Sequence, residues 1–141
     1  MSTALQRHSA FTFLQLAVIL RRRFAEAVAR SGSTLEQVAV MSCLWECGPM
    51  FHGQLADRVG MDVGNLVSIC QALVRRMLIE MEHDERNRRR TELHIGPAGR
   101  ELVSQVWEEV SRLEEEFLGP LTIEERRIWR SFAGRLLTAH C

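Results

Sequence analysis

Arg86, Arg88, Arg89 and Arg90 fall within five consecutive positions, and no acid stands among them. A guanidinium carries its N–H donors in a planar fork that matches two oxygens of a phosphate, and it stays charged throughout the physiological pH range. Just upstream, no acid occurs from Val63 to Met77. Read as a helix, this stretch lines up Leu66, Ile69, Cys70, Leu73 and Met77 as one buried stripe. The opposite face then holds Val63, Gly64, Asn65, Val67, Ser68, Gln71 and Arg75. A merely solvated helix face more often mixes in Glu. Asn and Gln side chains can bond an adenine edge twice, Ser can bond a base or a phosphate, and Val can touch a thymine methyl. Gly64 permits close backbone approach, and Arg75 suits a phosphate. The plainer readings are a solvated face and a solubilising loop. The absence of Lys from an arginine-only tip favours phosphate or minor-groove contact instead.

Other candidate chemistry is sparse. Cys43 and Cys47 are four residues apart, on one face of a helix. Such a pair could bind a soft metal or sense an oxidant, but two small apolar residues near a core is the simpler reading. Cys70 belongs to the buried stripe. No Ser/His/Asp or Cys/His arrangement and no phosphate-cradling glycine loop suggests an enzyme. Glu114, Glu115 and Glu116 point in different directions around a helix and read as a solvated face. Neither a cofactor nor a metal is expected.

These residues need elements to hold them. Residues 8–30 read as a helix that is apolar around most of its circumference, more than one small core requires. Thr34 with Gln37 forms a capping-box pattern for a second helix, which Gly48 and Pro49 stop. A short helix from His52 to Val59 ends at Gly60, and Asp62 caps the acid-free helix. Residues 78–82 and 91–95 alternate apolar and polar side chains, a hairpin whose tip holds the arginines. Pro97 opens a long helix whose Leu102, Val106, Val110, Leu113 and Phe117 form a seam close to coiled-coil spacing. Thr122 with Glu125 caps a last helix. The expected fold is mainly α with a small β-hairpin wing: a winged helix-turn-helix plus a helical dimerisation region.

Length and composition agree. The chain has 141 residues, 46% hydrophobic, enough for one packed domain. No apolar run is long enough to span a membrane, and neither a basic start nor a small-residue cleavage site marks a signal peptide, so a cytoplasmic protein is expected. The formal net charge is zero, with 18 basic and 18 acidic residues. That zero averages unlike parts: residues 1–60 carry +2, residues 61–100 carry +1 and residues 101–141 carry −3.

At this point the sequence resembles the MarR (multiple antibiotic resistance) family of winged-helix regulators over almost its whole length. Residues 34–44 are similar to the opening of the family's second helix, and residues 55–62 to its helix-turn-helix turn. Asp84-Glu85-Arg86-Asn87-Arg88-Arg89 resembles the wing pattern Asp-Pro-x-Asp-Arg-Arg, and Ile95-Gly96-Pro97-Ala98-Gly99-Arg100 the Leu-Thr-x-x-Gly-Arg that opens the fifth helix. Departures are Glu85, Asn87, Gly96, Met81 for an arginine of the first wing strand, Met77 for the glycine ending the recognition helix, and Phe51 at a capping position. The resemblance implies a homodimer built on residues 1–32 and 97–141, with residues 33–96 as the DNA-binding lobe. It implies a pseudo-palindromic double-stranded DNA operator, read by residues 63–75 and clasped by Arg86, Arg88, Arg89 and Arg90. It further implies a repressor released by a small-molecule effector. A hydrophobic or aromatic acid would suit a pocket between lobe and dimerisation region, which Trp45, Trp107 or Trp129 is placed to line. Peroxide-sensing members use a Cys in the first helix with Tyr partners, and this chain has neither. The alternatives are a dimeric protein-interaction adaptor without DNA binding and a thiol- or metal-responsive regulator using Cys43 and Cys47.

Overall fold

The computed structural model describes residues 7–87 and 90–140. Among the described residues, six helices and three strands follow in the order α1 (Ser9–Ala29), α2 (Leu35–Cys47), β1 (Met50–Phe51), α3 (His52–Val59), α4 (Val63–Arg75), β2 (Ile79–His83), β3 (Thr91–Ile95), α5 (Pro97–Phe117) and α6 (Ile123–His140).

The helix starts follow local chemistry. Thr34 Oγ1 accepts the Gln37 N–H at 3.2 Å, while Gln37 Oε1 accepts the Thr34 N–H at 3.1 Å. The same reciprocal pair at Thr122 and Glu125 opens α6. Each pair satisfies two N–H groups that a helix leaves without partners at its first turn. Phe51, which has no acceptor in its side chain, caps α3 through Gln54, whose Oε1 accepts the Phe51 N–H at 3.0 Å. Gly48 and Gly60 end α2 and α3 with φ of +83° and +71°, conformations a Cβ disfavours.

The hairpin is larger than the sequence pattern indicates. β1 pairs antiparallel with β3 (Met50 opposite Leu93), so the sheet runs β1-β3-β2. A two-residue strand has no periodicity to read, and it exists only because β3 supplies its partner. β2 and β3 pair from Ile79 opposite Ile95 to His83 opposite Thr91.

The core lies where α2, α4, the sheet and α5 converge. Met41, Leu55, Leu66, Leu73, Leu93 and Val103 are all fully buried there. One expectation fails. Met77 is 80% exposed rather than part of the buried stripe. α4 ends at Arg75, and Met77 turns left-handed at φ +59°. The Met77 N–H then bonds Val74 O at 2.9 Å and the Leu78 N–H bonds Leu73 O at 3.0 Å. This is the Schellman arrangement, and its left-handed residue swings the side chain off the helix face. Glu114, Glu115 and Glu116 are exposed, as a solvated face is, and two of them also bridge to α6. Glu114 pairs with Arg130 at 3.1 Å and Glu115 with Arg126 at 2.8 Å, tying α5 to α6. Arg126 Nε also donates to the carbonyls of Leu118 and Leu121, which fixes the α5–α6 corner.

α6 has no buried residue among those described, and Phe132, Leu136 and Leu137 on it are more than half exposed. On α1, Leu14 and Val18 are likewise bare. Phe13 meets Trp129 at 6.3 Å, and a cleft of about 910 Å³ opens beside them. Among the described residues, no helix is long and apolar enough to cross a membrane.

Candidate nucleic-acid interface

α3, the turn at Gly60 and α4 form the helix-turn-helix. α4 is anchored by Leu66, Cys70 and Leu73, each fully buried, with Ile69 half-buried beside them. This stripe fixes the rotation of the helix about its axis, so the remaining side chains face outward by geometry. Val63, Gly64, Asn65, Ser68, Gln71 and Arg75 are exposed, and Val67 is half-buried at the edge of the stripe. No acid lies along the exposed face of α4, whose last turn carries Arg75.

The N-terminus of α4 is capped by Asp62, whose Oδ2 accepts the Asn65 N–H at 3.0 Å. A Cβ on Gly64 would stand 3.3 Å from that same oxygen. Gly64 therefore leaves room for the cap as well as leaving the outer surface low. The cap removes one N–H from outside use but leaves the Asn65 side chain free to project.

The C-terminus of α4 is held by a residue that the sequence pattern does not single out. Arg76 Nη1 donates to Ser33 Oγ at 3.1 Å and to Gln37 Oε1 at 3.2 Å. The end of α4 is thereby tied to the capping box that starts α2, across more than 35 residues of chain. No spacing rule exposes a contact of that range.

The wing continues from α4 through Leu78. Its loop is a set of short turns: Asp84 N–H to Arg90 O at 2.9 Å, Asn87 N–H to Asp84 O at 3.2 Å, and Arg90 N–H to Asn87 O at 2.9 Å. Asp84 Oδ1 also accepts the Arg86 N–H at 3.0 Å, so the only acid next to the arginine run besides Glu85 is spent on shaping the loop. Arg86 and Arg90 are exposed. The Arg90 guanidinium lies over the Phe51 ring at 5.1 Å, a cation–π contact that ties the wing to β1. Arg90 thus has a structural partner in addition to its charge. Arg88 and Arg89 lie outside the described residues.

The stem of the wing carries acids of its own. Glu82 and Glu92 are cross-strand partners, and His94 Nε2 stands 3.6 Å and 2.8 Å from their carboxylates.

The cysteines are split by environment. Cys70 is fully buried on the α4 stripe, and burial pushes its thiol up to about 11. Cys43 is half-buried against the core, whereas Cys47 is exposed and meets Arg58. None of the tryptophans is among the residues walling the cavity between the helix-turn-helix and α1. Trp45 and Trp107 are both 42% exposed, Trp107 bonding Ser42 Oγ through its indole N–H at 3.2 Å. An open cavity of about 370 Å³ does lie there, walled by Leu20, Arg21 and Phe24 of α1, Leu35, Glu36 and Ala39 of α2, and Val59 and Met61 around the turn.

Residues 33–91, from just before α2 to the first residue of β3, match the family model described as MarR family. No curated protein matches the sequence significantly. Solved structures match over nearly the full length. A probable transcriptional regulator from Pseudomonas aeruginosa is 27% identical with a TM-score of 0.74, covering 94% of this chain and 98% of its own. The PcaV transcriptional regulator from Streptomyces coelicolor, in complex with its natural ligand, is 22% identical with a TM-score of 0.72, covering 99% and 98%. A MepR variant from S. aureus bound to an oligodeoxyribonucleotide is 16% identical with a TM-score of 0.68, covering 94% and 97%. The matched segment builds the helix-turn-helix and most of the wing: residues 33–91 are similar to the MarR family, and the fold from α1 to α6 is that of the winged-helix structures named above.

Proposed function

We propose that this protein is a homodimeric, sequence-specific DNA-binding repressor released by a small effector. The observation that carries this reading is the exposed, acid-free face of α4, locked in rotation by Leu66, Cys70 and Leu73 and followed by the arginine-bearing wing. Asn65, Ser68 and Gln71 read bases in the major groove, with Val63, Gly64 and Val67 in close contact. Arg75 holds a phosphate. Arg86, Arg88, Arg89 and Arg90 take phosphates or the minor groove. Lacking Lys, the chain makes every cationic side-chain contact of this kind through Arg or a protonated His.

Residues 1–32 and 97–141 serve as the dimerisation region and residues 33–96 as the DNA-binding lobe. The bare apolar faces of α1 and α6 support this, because exposed apolar area of that extent on a monomer marks an interaction surface. Two copies related by a twofold axis would place their α4 helices about 34 Å apart, one turn of a pseudo-palindromic operator. The MepR variant bound to an oligodeoxyribonucleotide supports the DNA partner, and PcaV with its natural ligand supports an effector. The cavity between α1, α2 and the turn suits a small aromatic acid, with apolar walls for the ring and Arg21 for the carboxylate.

The test is a salt-dependent binding titration after selection of a site from random DNA. Arg88→Ala with Arg89→Ala should weaken specific and non-specific binding alike and reduce the salt slope by about 2. Asn65→Ala and Gln71→Ala should change the preference among sites, at about 1–3 kcal/mol for each lost bidentate contact. Selection that enriches no sequence, together with an unchanged salt slope in the double variant, would refute the reading and favour an adaptor without DNA binding.

A further inference from the structure

Cys43 and Cys47 stand four residues apart at the C-terminal end of α2, which puts both on one face of the helix with Cβ atoms about 5–6 Å apart. Arg58, from the last turn of α3, donates through Nη1 to Cys47 Sγ at 3.3 Å. One sulfur is therefore anchored against the core, the other is open to solvent, and a fixed cation sits beside the open one.

Ligand count and geometry decide what such a pair can hold. No group of three His, Cys, Asp or Glu side chains is arranged for a metal among the described residues, which leaves zinc without its usual three or four protein ligands. A disulfide fits poorly. It needs Cβ atoms about 3.8 Å apart, whereas positions four apart on a helix keep them at about 5–6 Å. A linear sulfur–metal–sulfur bridge, at about 2.3 Å per bond, spans roughly 4.6 Å between sulfurs and is reached by side-chain rotation alone. Thiolates select soft cations such as Cu(I).

We propose that Cys43 and Cys47 form a two-coordinate site for a soft monovalent cation of the Cu(I) or Ag(I) class, with Arg58 as its charge partner. Binding replaces two S–H bonds with two sulfur–metal bonds and releases two protons to solvent, with no change of oxidation state. The product carries one net negative charge, which the Arg58 guanidinium offsets at the Cys47 sulfur. A divalent soft cation such as Hg(II) would give a neutral product with little need of Arg58. This proposal rests on the thiol geometry and is independent of DNA binding.

The experiment uses the full-length reduced protein carrying Cys141→Ser, so that only Cys43, Cys47 and the fully buried Cys70 remain. Ag(I) is titrated against a competing chelator while maleimide reactivity, proton release and oligomeric state are followed. One Ag(I) should bind per chain, protect Cys43 and Cys47 together and release two protons. Cys43→Ser and Cys47→Ser should each weaken binding by roughly 10²-fold, since a chelate becomes a single ligand. Cys47→Ser lies at an exposed position and keeps the test intact even where Cys43→Ser disturbs the core. Arg58→Met should cost roughly fivefold for Ag(I) and leave Hg(II) affinity within twofold, the size of one charge pair in water. Parent-like Ag(I) affinity in either serine variant, or binding only as a bridge between two chains, overturns the proposal.

Discussion

Gly99→Ala tests how the wing is fixed to the helix behind it. Gly99 sits in the first turn of α5, against the segment that joins α4 to β2. A Cβ built there would lie 2.2 Å from Leu78 O, 3.1 Å from the Leu78 carbonyl carbon and 3.0 Å from Ile95 Cγ1. Carbon–oxygen contacts settle near 3.3 Å or beyond. α5 or the α4–β2 joint must therefore retreat by about 1 Å. The severest clash is with a backbone oxygen, not with a flexible side-chain tip. The same Leu78 carbonyl accepts the Gly96 N–H at 3.0 Å, so a retreat also stretches that bond. Overpacking of this kind costs about 1–3 kcal/mol, and a weakened hydrogen bond adds about 1 kcal/mol. Replacing Gly by Ala in a helix returns up to about 1 kcal/mol. The clash wins, and a net loss of about 1–3 kcal/mol follows. Urea unfolding followed by circular dichroism, at one fixed protein concentration, measures it. Gly53→Ala is the control, since a Cβ there meets nothing within 4 Å, and its stability should stay level or rise. A Gly99→Ala midpoint equal to or above the parent's would refute the claim that close backbone approach requires glycine at this position.

Three further outcomes follow from local geometry. Met77→Gly should stabilise the fold by about 1 kcal/mol in the same unfolding assay, because Met77 holds a left-handed φ of +59° that costs a residue with a Cβ. Asp62→Ala should cost about 1 kcal/mol through loss of the α4 cap. His52 is half-buried, its Nε2 has no partner among the described residues, and burial lowers its pKa below the ordinary 6.5. With the folded value depressed, the unfolded chain takes up the proton first. Stability should therefore fall as pH drops below about 6.5, and His52→Gln should flatten that part of the pH–stability curve.

Much of the scaffold was legible because its signals are local. Thr34 with Gln37, Asp62, Gly60, Pro97 and Thr122 with Glu125 act on neighbours within a few residues, so helix starts and stops agree with the structure to within a residue or two. The exposed face of α4 was legible for a related reason: burying Leu66, Cys70 and Leu73 leaves helical geometry no freedom in where Asn65, Ser68 and Gln71 point. Met77 shows the limit of that logic. Extrapolating the stripe by one more turn assumed a helix that instead stops at Arg75.

The order of the elements, the polarity of each helix face and the concentration of arginine at one hairpin tip follow from local sequence, since each depends on side chains close together in the chain. Features that need distant segments to meet are set by tertiary packing instead. β1 exists because β3 pairs with it. Arg76 finds Ser33 and Gln37, Arg90 finds Phe51, and Arg58 finds Cys47 because packing of the core brings those segments together. The Leu78 carbonyl makes Gly99 a requirement rather than a preference. Such contacts are set by the shape of the buried core, which composition and periodicity constrain only in outline.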